Sequence, residues 1–313
     1  MEATFNSIIA AAAPLVIMTM GETITEKVGV VNLSLEGSLR LSAMTGFAVA
    51  FWVGHALPGF VAAAIVGAAI AAIIAATSIR LKLNQIAVGF VLTLLAADLA
   101  SFLGDSLVGE RGPRVPPLPI PVLSDIPFIG KVLFDHDLVV YGSFLAIGLT
   151  WWLFYRTRPG LNLQGVGERP EGAFARGIKV NTLRFWYTVL GGAMVGIAGA
   201  AYSLDIKLGW RETLTLNLGW IGLAIVIFGG WHPLRVAFGA YLFGALQVLA
   251  FQLQDVFPGL AQVLPIAPFP LMILALLFVY SSWFRQIGDR FPRLRNLFGS
   301  EAPAALGTVF ERE

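Results

Sequence analysis

Between Gly21 and Gly37 the chain reads Gly-Glu-Thr-Ile-Thr-Glu-Lys-Val-Gly-Val-Val-Asn-Leu-Ser-Leu-Glu-Gly, so Glu22, Glu26, Lys27, Asn32, Ser34 and Glu36 crowd together between two apolar runs. Carboxylates, an amide and a hydroxyl at this density can line a wet path or form a polar edge; facing lipid they would be costly. A second cluster, Asn217, Trp220 and Gly222, sets an amide beside an aromatic ring. Such groups suit a neutral, hydrogen-bonding solute, which needs a few polar contacts within apolar walls and no fixed charge pair. Other chemistries lack their residues. With no Cys and only His55, His136 and His232 scattered along the chain, neither a disulfide nor a zinc or di-iron ligand set is available. No Gly-x-x-x-x-Gly-Lys-[Ser/Thr] phosphate loop occurs, so no ATP site, catalytic residue, metal or cofactor is expected in this chain.

The elements that must position these groups follow from composition. The chain is 57% hydrophobic and 13% charged with mean hydropathy +0.78, where a soluble domain carries about 25% charge. An all-α, polytopic membrane protein is expected. Nine apolar runs can be marked, at 6–20, 38–54, 59–79, 83–104, 138–155, 184–203, 218–230, 236–254 and 267–284. They form one transmembrane domain over 1–284, followed by a tail at 285–313. The first run has no preceding Lys or Arg and no cleavage site after it, and is read as a retained span. Dense glycine at Gly191, Gly192, Gly196 and Gly199 suits close helix packing in lipid.

Orientation follows from Lys and Arg in the loops. With the N-terminus outside and the C-terminus in the cytoplasm, only Arg111, Arg114, Lys131, Lys207 and Arg211 of the 21 basic residues fall outside. The net charge of +2 is small, and membrane lipid rather than nucleic acid is the expected surroundings. The proline-rich loop 105–137 should lie over the outer surface without a continuous helix. Glu22 and Glu26 can line the path or pair with Lys27 and Arg40 at the cytoplasmic side; the pairing is preferred, with Gly21–Lys27 as the polar cytoplasmic end of the first span. Glu36 stands evenly between such pairing and the path. Asp98, near the outer end of the fourth run, is expected at an interface with a partner.

The two polar clusters share the pattern Asn-Leu-x-x-x-Gly, at Asn32 to Gly37 and at Asn217 to Gly222, each after an apolar span and before three more. Their spacing fits either a chance recurrence in so apolar a composition or an inverted internal repeat with broken helices, a plan in which short helices at matching positions mark the substrate path. The pathway candidates are therefore Asn32, Ser34, Glu36, Gly37, Asn217, Trp220 and Gly222.

The basic loop 156–184 contains Glu168, Arg169, Pro170, Glu171, Gly172, Ala173, Phe174, Ala175, Arg176, Gly177 and Ile178, which reads as one short helix. Pro170 suits its first turn, Glu168 and Glu171 its positive end, Arg176 its negative end, and Gly177 its closure. Ala173 to Ala175 would form an exposed apolar knob, fit to enter another protein's groove or to dip into lipid.

The Gly21–Gly37 block with Leu41–Gly46, the loop Val166–Val180 and the run Gly219–Gly239 with its Phe-Gly-Gly-Trp-His-Pro-Leu together resemble the permease subunits of ABC importers. The branch is the one serving nucleosides, simple sugars and branched-chain amino acids, and the likeness is nearest to the shorter nucleoside-type permeases. It implies a bacterial inner-membrane heterodimer with a second permease, a cytoplasmic ATPase that hydrolyses ATP, and an external substrate-binding lipoprotein. It also implies that the segment Glu168–Gly177 is the coupling helix seated in the ATPase, and that Val30–Gly37 borders the translocation path. Two positions depart from the pattern: Arg169 stands where Asn is usual, and Gly172-Ala173 where Ala-Ala is usual. An ion-coupled secondary transporter is the rival class, and a membrane scaffold the third.

Overall fold

The computed structural model describes residues 2–257, 259, 263–264, 266–279 and 302–311. The helices are α1 (Glu2–Lys27), α2 (Leu35–Val53), α3 (Ala56–Arg80), α4 (Gln85–Gly104), α5 (Ile129–Leu133), α6 (Leu138–Arg156), α7 (Arg158–Glu168), α8 (Pro170–Ala175), α9 (Val180–Ala201), α10 (Leu218–Phe228), α11 (Pro233–Val256) and α12 (Pro268–Val279). Each of the nine apolar runs carries helix. Among the described residues six helices are long and apolar enough to cross a membrane: α1, α3, α4, α6, α9 and α11, with α4 and α9 each prolonged by a short turn. The helices α2, α10 and α12 stand apart from these, and α10 is too short to span unaided.

Helix α9 is the packing centre. In lipid no hydrophobic drive brings helices together, so small residues that let backbones approach must do so. A Cβ at Gly191 would strike Thr25 and Gly21 of α1. One at Gly192 would strike Gly67 and Ala71 of α3, and one at Gly199 would meet the Leu39 carbonyl of α2 at 2.6 Å. Three neighbours thus dock on one helix through glycine seams. The numbering runs in opposite directions along the α1–α9 seam, with Gly21 beside Gly191 and Gly29 beside Arg184, so these two helices are antiparallel.

The loops gather at two ends. At one, Trp231 meets Glu26, His232 lies on Tyr155, and Ala305 bonds Gly167. At the other, the long 105–137 loop covers the bundle as short pieces: a single 3₁₀ turn at Asp105–Leu107, the five-residue α5, and bridges from Val108 to Trp210 and from Pro117 to Asp137. Asn6 of α1 ties this loop down by donating to the Lys131 carbonyl at 2.8 Å. Proline repeatedly removes the backbone donors that a longer helix would need.

Candidate functional site

The two Asn-Leu-x-x-x-Gly copies meet. Glu36, in the first turn of α2, accepts the backbone N–H of Asn217 at 2.9 Å and that of Gly219 at 2.8 Å. These are donors at the start of α10 that have no partner within their own helix. A carboxylate there also complements the positive end of the helix dipole. Arg40, one turn on, lies 3.8 Å from the same carboxylate. The close approach depends on glycine, because a Cβ at Gly219 would lie 2.5 Å from the Glu36 Cα and one at Gly37 would lie 2.7 Å from the Thr93 Cα. Asn217 itself adopts the left-handed conformation, φ 65°, that asparagine tolerates better than most residues. It is exposed, Trp220 is half-buried beside it, and Gly222 is buried against Met18.

The connection 28–34 enters the bundle as non-helical backbone, so side chains must satisfy its polar groups. The Val31 N–H donates to Gln85 Oε1 at 2.8 Å, and the Thr93 hydroxyl donates to the Leu33 carbonyl at 2.7 Å. Asn32 Oδ1 accepts from the Ser34 N–H at 3.1 Å and from its hydroxyl at 2.7 Å, and Ser34 Oγ lies 3.0 Å from Ser38 Oγ. Asn32 and Ser34 are therefore buried and committed to shaping the entry of α2.

The expectation for Glu22 and Glu26 is corrected. Both belong to the continuous helix α1 and are 0% and 3% exposed. They do not pair with Lys27 and Arg40. Asn32 Nδ2 donates to Glu22 at 3.2 Å, and the Trp231 indole N–H donates to Glu26. Segments 28–34 and 229–232, distant in sequence, cover this part of α1 and supply neutral donors where a loop would have left water. Trp231 holds a left-handed backbone, φ 54°, costly for a bulky residue and sustained by that indole anchor.

At the same end, the short helix expected over Glu168–Ile178 is present as α8 but is shorter, with a second helix, α7, running up to it. Glu168 ends α7, Arg169 is the extended hinge with φ −144° and ψ 81°, and Pro170 opens α8 at its first turn with Glu171 behind it. The break follows from proline, which disfavours helical backbone in the residue before it. Arg176 caps α8, and Gly177 at φ 81° turns the chain away. The expected knob is half-hidden: Ala173 is buried, while Phe174 is 39% exposed with its ring 5.6 Å from that of Phe310.

Gln85, Thr93 and Trp231 hold the site together and were not among the sequence candidates. The signal available was a polar side chain inside an apolar run, at Gln85 near its start and Thr93 at its middle; nothing local marked Trp231. At the opposite end a polar cleft of about 470 Å³ is lined by Glu110, Arg111, Lys207, Trp210 and Arg211 among others, and by none of the pathway candidates. Asp98 sits on the exposed face of α4 with Leu94, Leu95, Leu99 and Phe102.

Several relatives match along most of their length, three of them at 30% identity or more. TsgC13 of Haloferax volcanii, provisionally named a glucose ABC transporter permease protein, is 36% identical over 84% of this chain and 81% of its own. The guanosine ABC transporter permease protein NupQ of Bacillus subtilis is 33% identical over 85% and 88%. The nucleoside ABC transporter permease protein NupC of Lactococcus lactis is 30% identical over 85% and 88%. No solved structure matches. The model of the branched-chain amino acid transport system / permease component family matches residues 4–279, from within α1 to the end of α12, and this multi-pass membrane chain belongs to that family of ABC transporter permeases.

Proposed function

We propose that the chain is the membrane-spanning subunit of an ABC-type importer that takes up nucleosides, sharing the path with a second permease. A separate cytoplasmic ATPase supplies the energy and an external lipoprotein delivers the solute. The observation that carries this is the match over 85% of the chain to permeases named for guanosine and for nucleosides. The exposed Asn217 and the half-buried Trp220, one helical turn apart at the start of α10, support it, since an aromatic face and a hydrogen-bonding edge are what a purine needs. Glu36 and Gly37 act here as the hinge between the two broken helices, and Asn32, Ser34 and Gly222 hold that hinge in shape. A carboxylate on an apolar spanning face is costly in lipid, so Asp98 supports a protein neighbour against α4, the second permease.

The end that carries α8 is the cytoplasmic one, with the N-terminus outside. There α8, from Pro170 to Ala175 with Glu168, Arg169, Arg176 and Gly177 around it, offers Phe174 to the ATPase. A sugar substrate is the second reading, favoured by TsgC13 at 36% identity. Uptake of labelled guanosine by cells expressing the whole system decides between them. Other nucleosides should compete and excess glucose should not; competition by glucose alone would establish the sugar.

A further inference from the structure

We propose that residues 302–311 are a strap that sets the pose of α8, and that the ATPase meets α8 and this strap as one surface. The inference rests on α8 being the docking helix. The strap is stitched to four separate parts of the chain. The Ala305 N–H donates to the Gly167 carbonyl at 2.9 Å and the Ala304 N–H to the Glu168 carboxylate at 3.3 Å, both at the end of α7. The Gly307 N–H donates to the Gly29 carbonyl at 3.1 Å, three residues before Asn32. Arg184 of α9, 2% exposed, donates to the Thr308 carbonyl at 2.6 Å, and Glu311 pairs with Lys82 at 3.2 Å.

Phe310 completes the clamp. It is 6% exposed, within an apolar cluster that includes Leu163 and Val166 of α7, Ala173 of α8 and Val180 of α9, and its ring covers one side of Phe174. A six-residue helix between non-helical joints at Arg169 and Gly177 has little to hold it by itself. Ala173 on its inner side is buried in the cluster that holds Phe310, and Phe310 packs on Phe174, so the partly exposed Phe174 is presented in a set pose. Pre-set anchors of this kind lower the ordering cost of binding. Gly29, at φ +98°, is needed for the approach: a Cβ there would stand 3.0 Å from the Arg184 guanidinium and 3.2 Å from the Ala305 carbonyl.

The test uses the assembled permease pair in nanodiscs, titrated with the partner ATPase, and the ratio of solute moved to ATP hydrolysed in proteoliposomes. Phe310→Ala, and separately a chain ending at residue 301, should weaken ATPase binding roughly tenfold, a loss typical of one buried aromatic anchor, and lower the transport ratio. Phe310→Tyr should restore both. Phe174→Asp serves as the reference. If Phe174→Asp abolishes binding while Phe310→Ala and the shortened chain bind and couple as before, the strap is refuted and the docking helix stands. If Phe174→Asp also changes nothing, both fall. Tighter ATPase binding by the shortened chain would refute a positioning strap and show a competing cover instead.

Discussion

Glu36 joins two helices that lie far apart in the chain, and its carboxylate is the group whose loss should be felt most. Removing it leaves the Asn217 and Gly219 N–H groups without their acceptor and the α10 dipole uncompensated. Glu36→Ala should therefore cost about 2–4 kcal/mol, and Glu36→Gln, which keeps one acceptor oxygen, about half of that. Denaturant unfolding of the purified protein measures both, and equal stability of all three forms would contradict the junction. His232, in the turn between α10 and α11, gives a pH signature. Burial, then the Arg235 and Lys27 cations, push its proton affinity below the ordinary value of 6.5, against a smaller opposite pull from its own backbone hydrogen bond. The unfolded chain then binds this proton more readily than the folded one. The stability linked to His232 is full above pH 6.5 and is lost as pH falls through 6.5 toward the depressed value. Unfolding midpoints measured from pH 7.5 to 5 should fall less steeply for His232→Gln than for the natural chain; parallel curves would contradict the assignment.

At the scale of elements, the glycine seams decide which helices touch. Gly192→Val would push a side chain into Gly67 and Ala71 of α3, and overpacking of this kind costs at least about 2 kcal/mol. Thermal unfolding in detergent should show it, and an unchanged midpoint would mean that α3 and α9 are farther apart. That these glycines pack was readable from the sequence, because small residues in apolar runs have few other uses. Their partners were not, since Gly67 and Gly21 lie over a hundred residues away. The same limit explains Glu22 and Glu26. Their chemistry was visible, but their donors, Asn32 and Trp231, come from connections whose paths no local periodicity encodes. In α8, Pro170 and Gly177 were legible as start and stop, whereas the hinge at Arg169 and the cover from Phe310 required the fold.

For the whole molecule, hydropathy alone located every helix that carries an apolar run, because twenty or so apolar residues leave few alternatives to a buried helix. The repeated Asn-Leu-x-x-x-Gly pattern pointed to the place where α2 and α10 start, and there the two copies touch through Glu36 and Gly219. The strap 302–311 lies in the stretch read only as a tail, where composition carries no directional signal. On the proposed reading, solute crosses on energy supplied by a partner ATPase. Guanosine uptake by proteoliposomes holding this chain, its second permease, the ATPase and the binding protein, with and without the ATPase's catalytic glutamate, tests it most directly. Uptake should require ATP and vanish when that glutamate is replaced by glutamine. Guanosine accumulation that persists with the disabled ATPase and follows an imposed proton or sodium gradient would contradict it.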